Sequence, residues 1–265
     1  MKLFFDQLRG LSIHRSKAGV AGTFGVGTVS SVGAGVPGVT ASSQVFVSSN
    51  SGTWNSEALL SAQEVFSIDS IDIAQAACIP DAASAWALLH NFVTLNSGDV
   101  VVRSAEASAV NSAIDQIAKA MGVVVVPASD ADLVDAKFKD KVASKGSVKL
   151  ALTSGTGKGA RAMHALTGSK GVLVTYNGAI APLDDNLSGI EIPSLSLIFK
   201  DQAVCGFDFK AWVANSPVEA SQAISESVKL IQNGQLNLSP SSFSAAKVVD
   251  AVAAAKSGKS AVIEL

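Results

Sequence analysis

The stretch GDVVVRSAEASAVNSAIDQIAKAMGVVVV, residues 98–126, decides the fold class. It reads as a strand, a tight turn, an amphipathic helix and a second strand, which is the rhythm of a dinucleotide-binding βαβ unit. Ala109 and Asn111 stand where such a turn carries glycines, the residues that let a backbone approach a pyrophosphate closely.

Working outward, the strand-like runs VKLAL and GVLVTY alternate with helix-like stretches, so the chain from Asp99 onward predicts a mostly parallel sheet covered on both faces. Upstream, residues 25–67 are rich in Gly, Ser and Val, with short alternating runs (GVGTVSSVG, QVFVSS, SEALLSAQEVFSI) that predict strands of a small β region. IDIAQAAC and DAASAWALLHNF then carry apolar residues at helical spacing, with Asp81 as N-cap of the second. Downstream come the runs SLSLIF and AVCGF, helices near 217–233 and 242–256, and a closing strand AVIEL. The fold class is therefore α/β, a β-rich N-terminal piece followed by a Rossmann-like domain.

The chain has 265 residues, 48% of them hydrophobic, enough for one large domain or two unequal ones with a sizeable core. A formal net charge of −2 with scattered lysines provides no basic stripe, so nucleic acid is expected only indirectly, inside a larger assembly. Cys78 and Cys205 lie far apart, and with only three histidines no metal centre is predicted. No apolar run is long enough to predict membrane insertion. The opening MKLFFDQLRGLSIHRSKAG mixes four basic residues with Phe and Leu around one acid, Asp6. That composition fits a mitochondrial transit segment or an amphipathic first helix or arm.

Several motifs, in order along the chain, carry a family resemblance: SGTWNSEAL (52–60), GDVVV (98–102), GVLVTYNGA (171–179) and above all SLIFKDQAVCGFDFKAW (196–212). From about residue 20 to its end the chain resembles the mitochondrial trans-2-enoyl thioester reductases, the enoyl-CoA or enoyl-ACP branch of the medium-chain dehydrogenase/reductase superfamily. The resemblance implies a quinone-oxidoreductase-like fold, NADPH as cofactor, a matrix location and a homodimer. It divides the chain into an arm or targeting remnant (1–24), a truncated GroES-like catalytic-domain remnant (25–90), a Rossmann-like nucleotide-binding domain (91–215) and C-terminal helices and strand (216–265).

Against that family the departures are specific. The family's catalytic Tyr precedes the Gly-rich strand that begins here at Gly25, whereas the single tyrosine of this chain is Tyr176, at the position of a TYGG-like strand end. The phosphate turn keeps Ala105 but reads Ala109-Val110-Asn111 where the family has Gly-Val-Gly, and Glu106 brings a carboxylate to the helix start, with Arg103 as a counter-charge. After the second strand, VPASDADLVDAKF has no base until Lys137 to take a 2′-phosphate. Asp130 suits the ribose hydroxyls of NAD, although helix capping by Ser129 or Asp130 is the weightier expectation. Between Pro127 and VKLAL there is room for one helix and no further sheet strand. Ser84 and Trp86 replace the family's Thr and Tyr, and Asp208 replaces a Trp of its acyl channel.

TSGTGKGAR (153–161) lacks the P-loop spacing and reads as a Gly-rich turn around Gly155. No G-x-S-x-G elbow occurs, and His90, His164 and the three tryptophans are expected to be structural, with Lys210 and Trp212 kept for fold or dimer contacts.

Taken together, these substitutions predict a catalytically inactive, reductase-like subunit of a mitochondrial complex such as a ribosome or respiratory assembly. No catalytic residue or cofactor is then expected, and Ala105, Ala109, Asn111, Asp130, Gly155 and Tyr176 are vestigial positions. The alternatives are an active NADPH- or NAD-dependent enoyl thioester or quinone reductase, and a module that grips an acyl chain or acyl carrier protein without reducing it.

Overall fold

The computed structural model describes residues 2–7, 22–48, 52–68, 71–155, 157–176, 189–257 and 260–264, of which 2–7 and 256 by backbone alone. The expected transit segment lies largely outside these residues, and so do Asn177, Gly178 and Ala179 of the family motif. Strands β1 (Lys2–Gln7), β2 (Phe24–Thr28), β3 (Gln44–Ser48) and β4 (Val65–Ser67) come first, followed by helices α1 (Ile73–Ala77) and α2 (Ile79–His90). Then come β5 (Val100–Ser104), α3 (Ala109–Met121), β6 (Val124–Ala128), α4 (Asp130–Val134), α5 (Ala136–Ala143) and β7 (Val148–Thr153). They are followed by α6 (Gly157–Leu166), β8 (Thr167–Tyr176), α7 (Ser194–Lys200) and β9 (Ala203–Phe207). The chain ends with α8 (Phe209–Asn215), α9 (Pro217–Gln232), β10 (Ser241–Ser244), α10 (Val248–Lys256) and β11 (Ala261–Glu264).

The chain divides into two compact units. The first comprises Met1–Ser84, Ala107–Ala113 and Phe209–Leu265, the second Ala85–Glu106 and Ile114–Asp208. In the first, a six-stranded sheet runs β10-β11-β1-β2-β3-β4, antiparallel except for the parallel β10–β11 pair. The opening residues are thus a sheet strand, Lys2–Gln7, rather than a helix. Phe24 stacks on Phe46 with centroids 6.1 Å apart, and Phe46 meets Phe66 at 6.0 Å. Phe209 of α8 closes on Phe24 at 5.4 Å, so the motif residues after Gly206 help to build this core.

In the second unit five parallel strands run β6-β5-β7-β8-β9. Both faces of the sheet are buried, which is why β5 and β7 are mostly apolar: Val101, Leu150 and Leu152 are fully buried, and Val100, Val102, Val148, Ala151 and Leu173 share one core with Leu133, Phe138, Val142 and Met163. Beyond β6 no further strand is present among the described residues. Ser129 and Asp135 start two short helices instead, each accepting an amide of the following turn.

Two local expectations change. α2 begins two residues before Asp81, which is buried in its first turn; the capping carboxylate is Asp72, which takes the amides of Ala74 and Gln75 at the start of α1. The helix expected from 242 starts only at Val248, because Ser241–Ser244 pair with the closing strand as β10. SLSLIF forms helix α7.

Candidate functional site

The carboxyl ends of the parallel strands in the second unit gather the polar residues singled out in the sequence, as expected where open α/β sheets bind ligands. After the buried Val100–Val102, Arg103 points its guanidinium at Asp115 of α3 and forks onto it, Nε to Oδ1 at 2.8 Å and Nη2 to Oδ2 at 2.7 Å. Its Nη1 donates to the Ser104 carbonyl at 2.8 Å. Arg103 is therefore hydrogen-bonded to Asp115 rather than to Glu106, while the Glu106 charge still acts on its guanidinium.

The Glu106 carboxylate instead accepts from the Ser154 hydroxyl at the end of β7. Ser104 Oγ accepts from the Ser154 amide at 3.3 Å and lies 3.4 Å from Thr153 Oγ1, and the Ala105 amide donates to the Ala128 carbonyl at 2.9 Å. These bonds tie the ends of β5, β6 and β7 into one rim. Sequence reasoning missed Asp115, Thr153 and Ser154. Asp115 had a usable signal, since it follows Arg103 by twelve residues on the helix that packs back along the strand.

Ala105, Glu106 and Ala107 are exposed. Ser108 caps α3, its Oγ accepting from the Asn111 amide at 3.0 Å and its carbonyl from the Ser112 amide at 3.0 Å. Ala109 is half-buried at the first helical position. Asn111 is 2% exposed, so its side chain is absorbed into packing rather than left in the opening that a pyrophosphate approaches. Of the two glycine substitutions, only one methyl group, that of Ala109, remains on the accessible side of the turn.

At the end of β6, Ser129 is the helix cap, in a reciprocal box with Asp132. Those bonds hold the Asp132 carboxyl below the usual carboxylate range. Asp130 is exposed, and among the described residues its carboxylate has no hydrogen-bond or ion-pair partner. It lies against the start of α6, where a Cβ added at Gly159 would stand 3.2 Å from Asp130 Oδ1. In the same turn Gly157 has φ of +59°, a left-handed conformation suited to glycine, and the Gly155 amide donates to Thr153 Oγ1 at 3.0 Å. Along the outer edge of β6 runs a groove of about 460 Å³ lined by Arg103, Asp115, Lys119 and Pro127 among others.

Tyr176 ends β8 and is 3% exposed; burial, then the charge of Glu106, raises its phenol well above the ordinary value, so it stays neutral. His90 Nδ1 lies 2.7 Å from the Trp86 carbonyl, and its ring stacks on Trp86 at 4.1 Å, a structural pairing. His164 is buried with Nε2 unpartnered, and burial, then Lys200, lowers its pKa. Asp208 is exposed, so its charge carries no desolvation cost in this chain. No group of three His, Cys, Asp or Glu able to hold a metal occurs among the described residues, and no described helix is long and apolar enough to cross a membrane.

This geometry can be set against known proteins. No protein-family profile matches the chain. Curated relatives do: the mitochondrial enoyl-(acyl-carrier-protein) reductases of Dictyostelium discoideum, 29% identical over 248 residues, and of Rattus norvegicus, 30% identical over 245. The matches cover 83% and 82% of this chain, and 69% and 64% of those proteins. The chain thus spans about two thirds of the length of the curated relatives it matches. Among solved structures, an Etr1p/NADP/crotonyl-CoA complex superposes with a TM-score of 0.82 over 100% of this chain and 90% of that one, at 19% identity. An Etr1p/Etr2p heterodimer from Candida tropicalis gives 0.83 over the same shares, also at 19% identity.

The chain resembles the mitochondrial enoyl-(acyl-carrier-protein) reductases in sequence over about four fifths of its length and shares the fold of Etr1p. These relatives carry mitochondrial reductase names. The expectation of an inactive structural subunit is overturned: the relatives are named as reductases, and none points to a ribosomal or respiratory scaffold. The error came from counting substitutions without their surroundings, since Asn111 is buried. The superposed Etr1p complex holds NADP, and nothing in the comparisons supports the expectation of no cofactor.

Proposed function

We propose that this chain acts in the reduction of a 2-enoyl thioester, with a nicotinamide dinucleotide as hydride source. The observation that carries it is the exposed Ala105–Ala107 turn at the carboxyl end of β5, which leads directly into the thirteen-residue helix α3. A helix start of this kind offers first-turn amides and a positive dipole end to a pyrophosphate. Among the described residues no hydrogen-bond acceptor meets the amides of Ala109 and Val110. The rim therefore fits a dinucleotide, with Glu106 the one opposing group.

When bound, the nicotinamide supplies a hydride to the β-carbon of the enoyl group, and a proton at the α-carbon completes the saturated thioester. The residues of this chain bind and orient. α3 receives the phosphates, the Ser104–Thr153–Ser154 bonds hold the strand ends at fixed separation, and Ser154 restrains the Glu106 carboxylate. Tyr176 is buried at the end of β8.

A dimer and a mitochondrial location belong to the same reading. β9 is the free edge of the parallel sheet, and beside it α7 exposes Leu195, Ile198 and Phe199, the last at 80%. A free edge flanked by an apolar surface of this size suits a second copy of the chain. The relatives' names support mitochondria.

Calorimetric titration with NADH and with NADPH, followed by their absorbance-monitored oxidation in the presence of crotonyl-CoA, tests the proposal. Micromolar binding and turnover are expected; a folded protein that binds neither nucleotide would refute it.

A further inference from the structure

We infer that the dinucleotide taken by this chain is NADH in preference to NADPH, with Asp130 as the residue that makes the choice; this rests on the dinucleotide site proposed above. In doubly wound sheets the second strand ends beside the adenosine ribose. An acidic residue there accepts from the ribose hydroxyls of NAD, whereas an arginine accommodates the 2′-phosphate of NADP. β6 is the strand paired in parallel with β5 on that side, and Asp130 is the second residue beyond its end.

The competing use of Asp130 is helix capping, and the structure assigns that task elsewhere. Ser129 has the extended backbone of a cap (φ −84°, ψ 165°), its hydroxyl accepts from the Asp132 amide at 3.2 Å, and the Asp132 carboxylate returns to the Ser129 amide at 2.9 Å. Asp130 is left exposed and unpartnered among the described residues, against the glycine turn that opens α6. A side chain at position 159 would crowd its carboxylate, so Gly159 leaves the space that Asp130 occupies.

The end of β6 carries no free arginine for a 2′-phosphate; the bases near it are lysines, Lys158 beside Gly159 and Lys141 near Asp132. Arg103, the nearest arginine in the βαβ unit, has both faces of its fork on Asp115. From Ser104 to Ala136 the chain has a single base, Lys119, in the last turn of α3. Lys158, in the first turn of α6, makes no ion pair with Asp130. A phosphate at the ribose would add between one and two negative charges beside Asp130 and Asp132. Repulsion between exposed charges at such separations is screened by salt, so the preference should shrink as ionic strength rises.

The test is calorimetric titration of the full chain with NADH and NADPH at low and high salt, for the wild type, Asp130→Arg and Lys158→Ala, with circular dichroism confirming the fold. The wild type should bind NADH about tenfold more tightly than NADPH, a ratio equivalent to about 1.4 kcal/mol. Asp130→Arg should abolish or invert the ratio, and Lys158→Ala should leave it in place. Tighter NADPH binding by the wild type, or a ratio unmoved by Asp130→Arg, would overturn the inference while keeping the dinucleotide site. Binding of neither nucleotide by folded protein would overturn both.

Discussion

β7 and β9 belong to one parallel sheet and are almost equally apolar in sequence, VKLALT against AVCGF, yet they meet opposite surroundings. β7 is paired on both sides, and Leu150, Ala151 and Leu152 are fully buried. β9 is an edge: Val204 is 39% exposed, and α7 adds Phe199 at 80%. Apolar composition alone does not separate a core strand from a strand awaiting a partner. The number of paired neighbours does, because a strand gains burial from its flanks as well as from the layers above and below.

That difference can be broken or sharpened by substitution, beginning with the largest effect. Leu150→Ala should destabilise the protein by about 3 kcal/mol through lost burial and an unfilled cavity, read as a shift in urea midpoint at unchanged slope. A shift no larger than that of an edge variant would mean that the central strand is not closely packed.

Arg103→Ala should cost about 1 kcal/mol in the same assay, since Asp115 is left without its fork but is half in water. Glu106→Gln removes a negative charge from the helix start, and dinucleotide titration should show several-fold tighter binding, in keeping with a dipole contribution of roughly 0.3–1 kcal/mol. Unchanged affinity would place the pyrophosphate elsewhere.

His164 carries a pH dependence whose sign is fixed by burial. Its folded pKa lies below the ordinary 6.5, so the unfolded chain binds the proton more readily. Stability should fall as pH drops from about 6.5 toward the folded value, and His164→Leu should flatten urea midpoints across that window. At the small end, Val204→Ala should change the stability of the monomer by less than about 0.5 kcal/mol. Val204→Lys should instead raise the dissociation constant of the proposed dimer, read by sedimentation; a dimer indifferent to it would move the proposed interface away from β9.

Much of the chemistry was legible in the sequence because it depends on nearest neighbours along the chain. The βαβ stretch at 98–126, the long helix from Pro217 and the absence of room for a strand after Pro127 follow from periodicity and length. The candidate site was legible as a set of positions and illegible as an environment. Arg103 lies beside Glu106 in sequence but turns to Asp115; Asp130 and Ser129 both suit a cap, and only the backbone angles assign it.

The residues themselves therefore determined the element types, the parallel sheet and the altered phosphate turn, since propensity and pattern act over a few positions. The tertiary structure decided which altered residues matter. Burial takes Asn111 out of the opening, pairing spends Arg103 and restrains Glu106, and packing leaves Asp130 without a partner among the described residues, because these outcomes depend on groups brought together from distant parts of the chain.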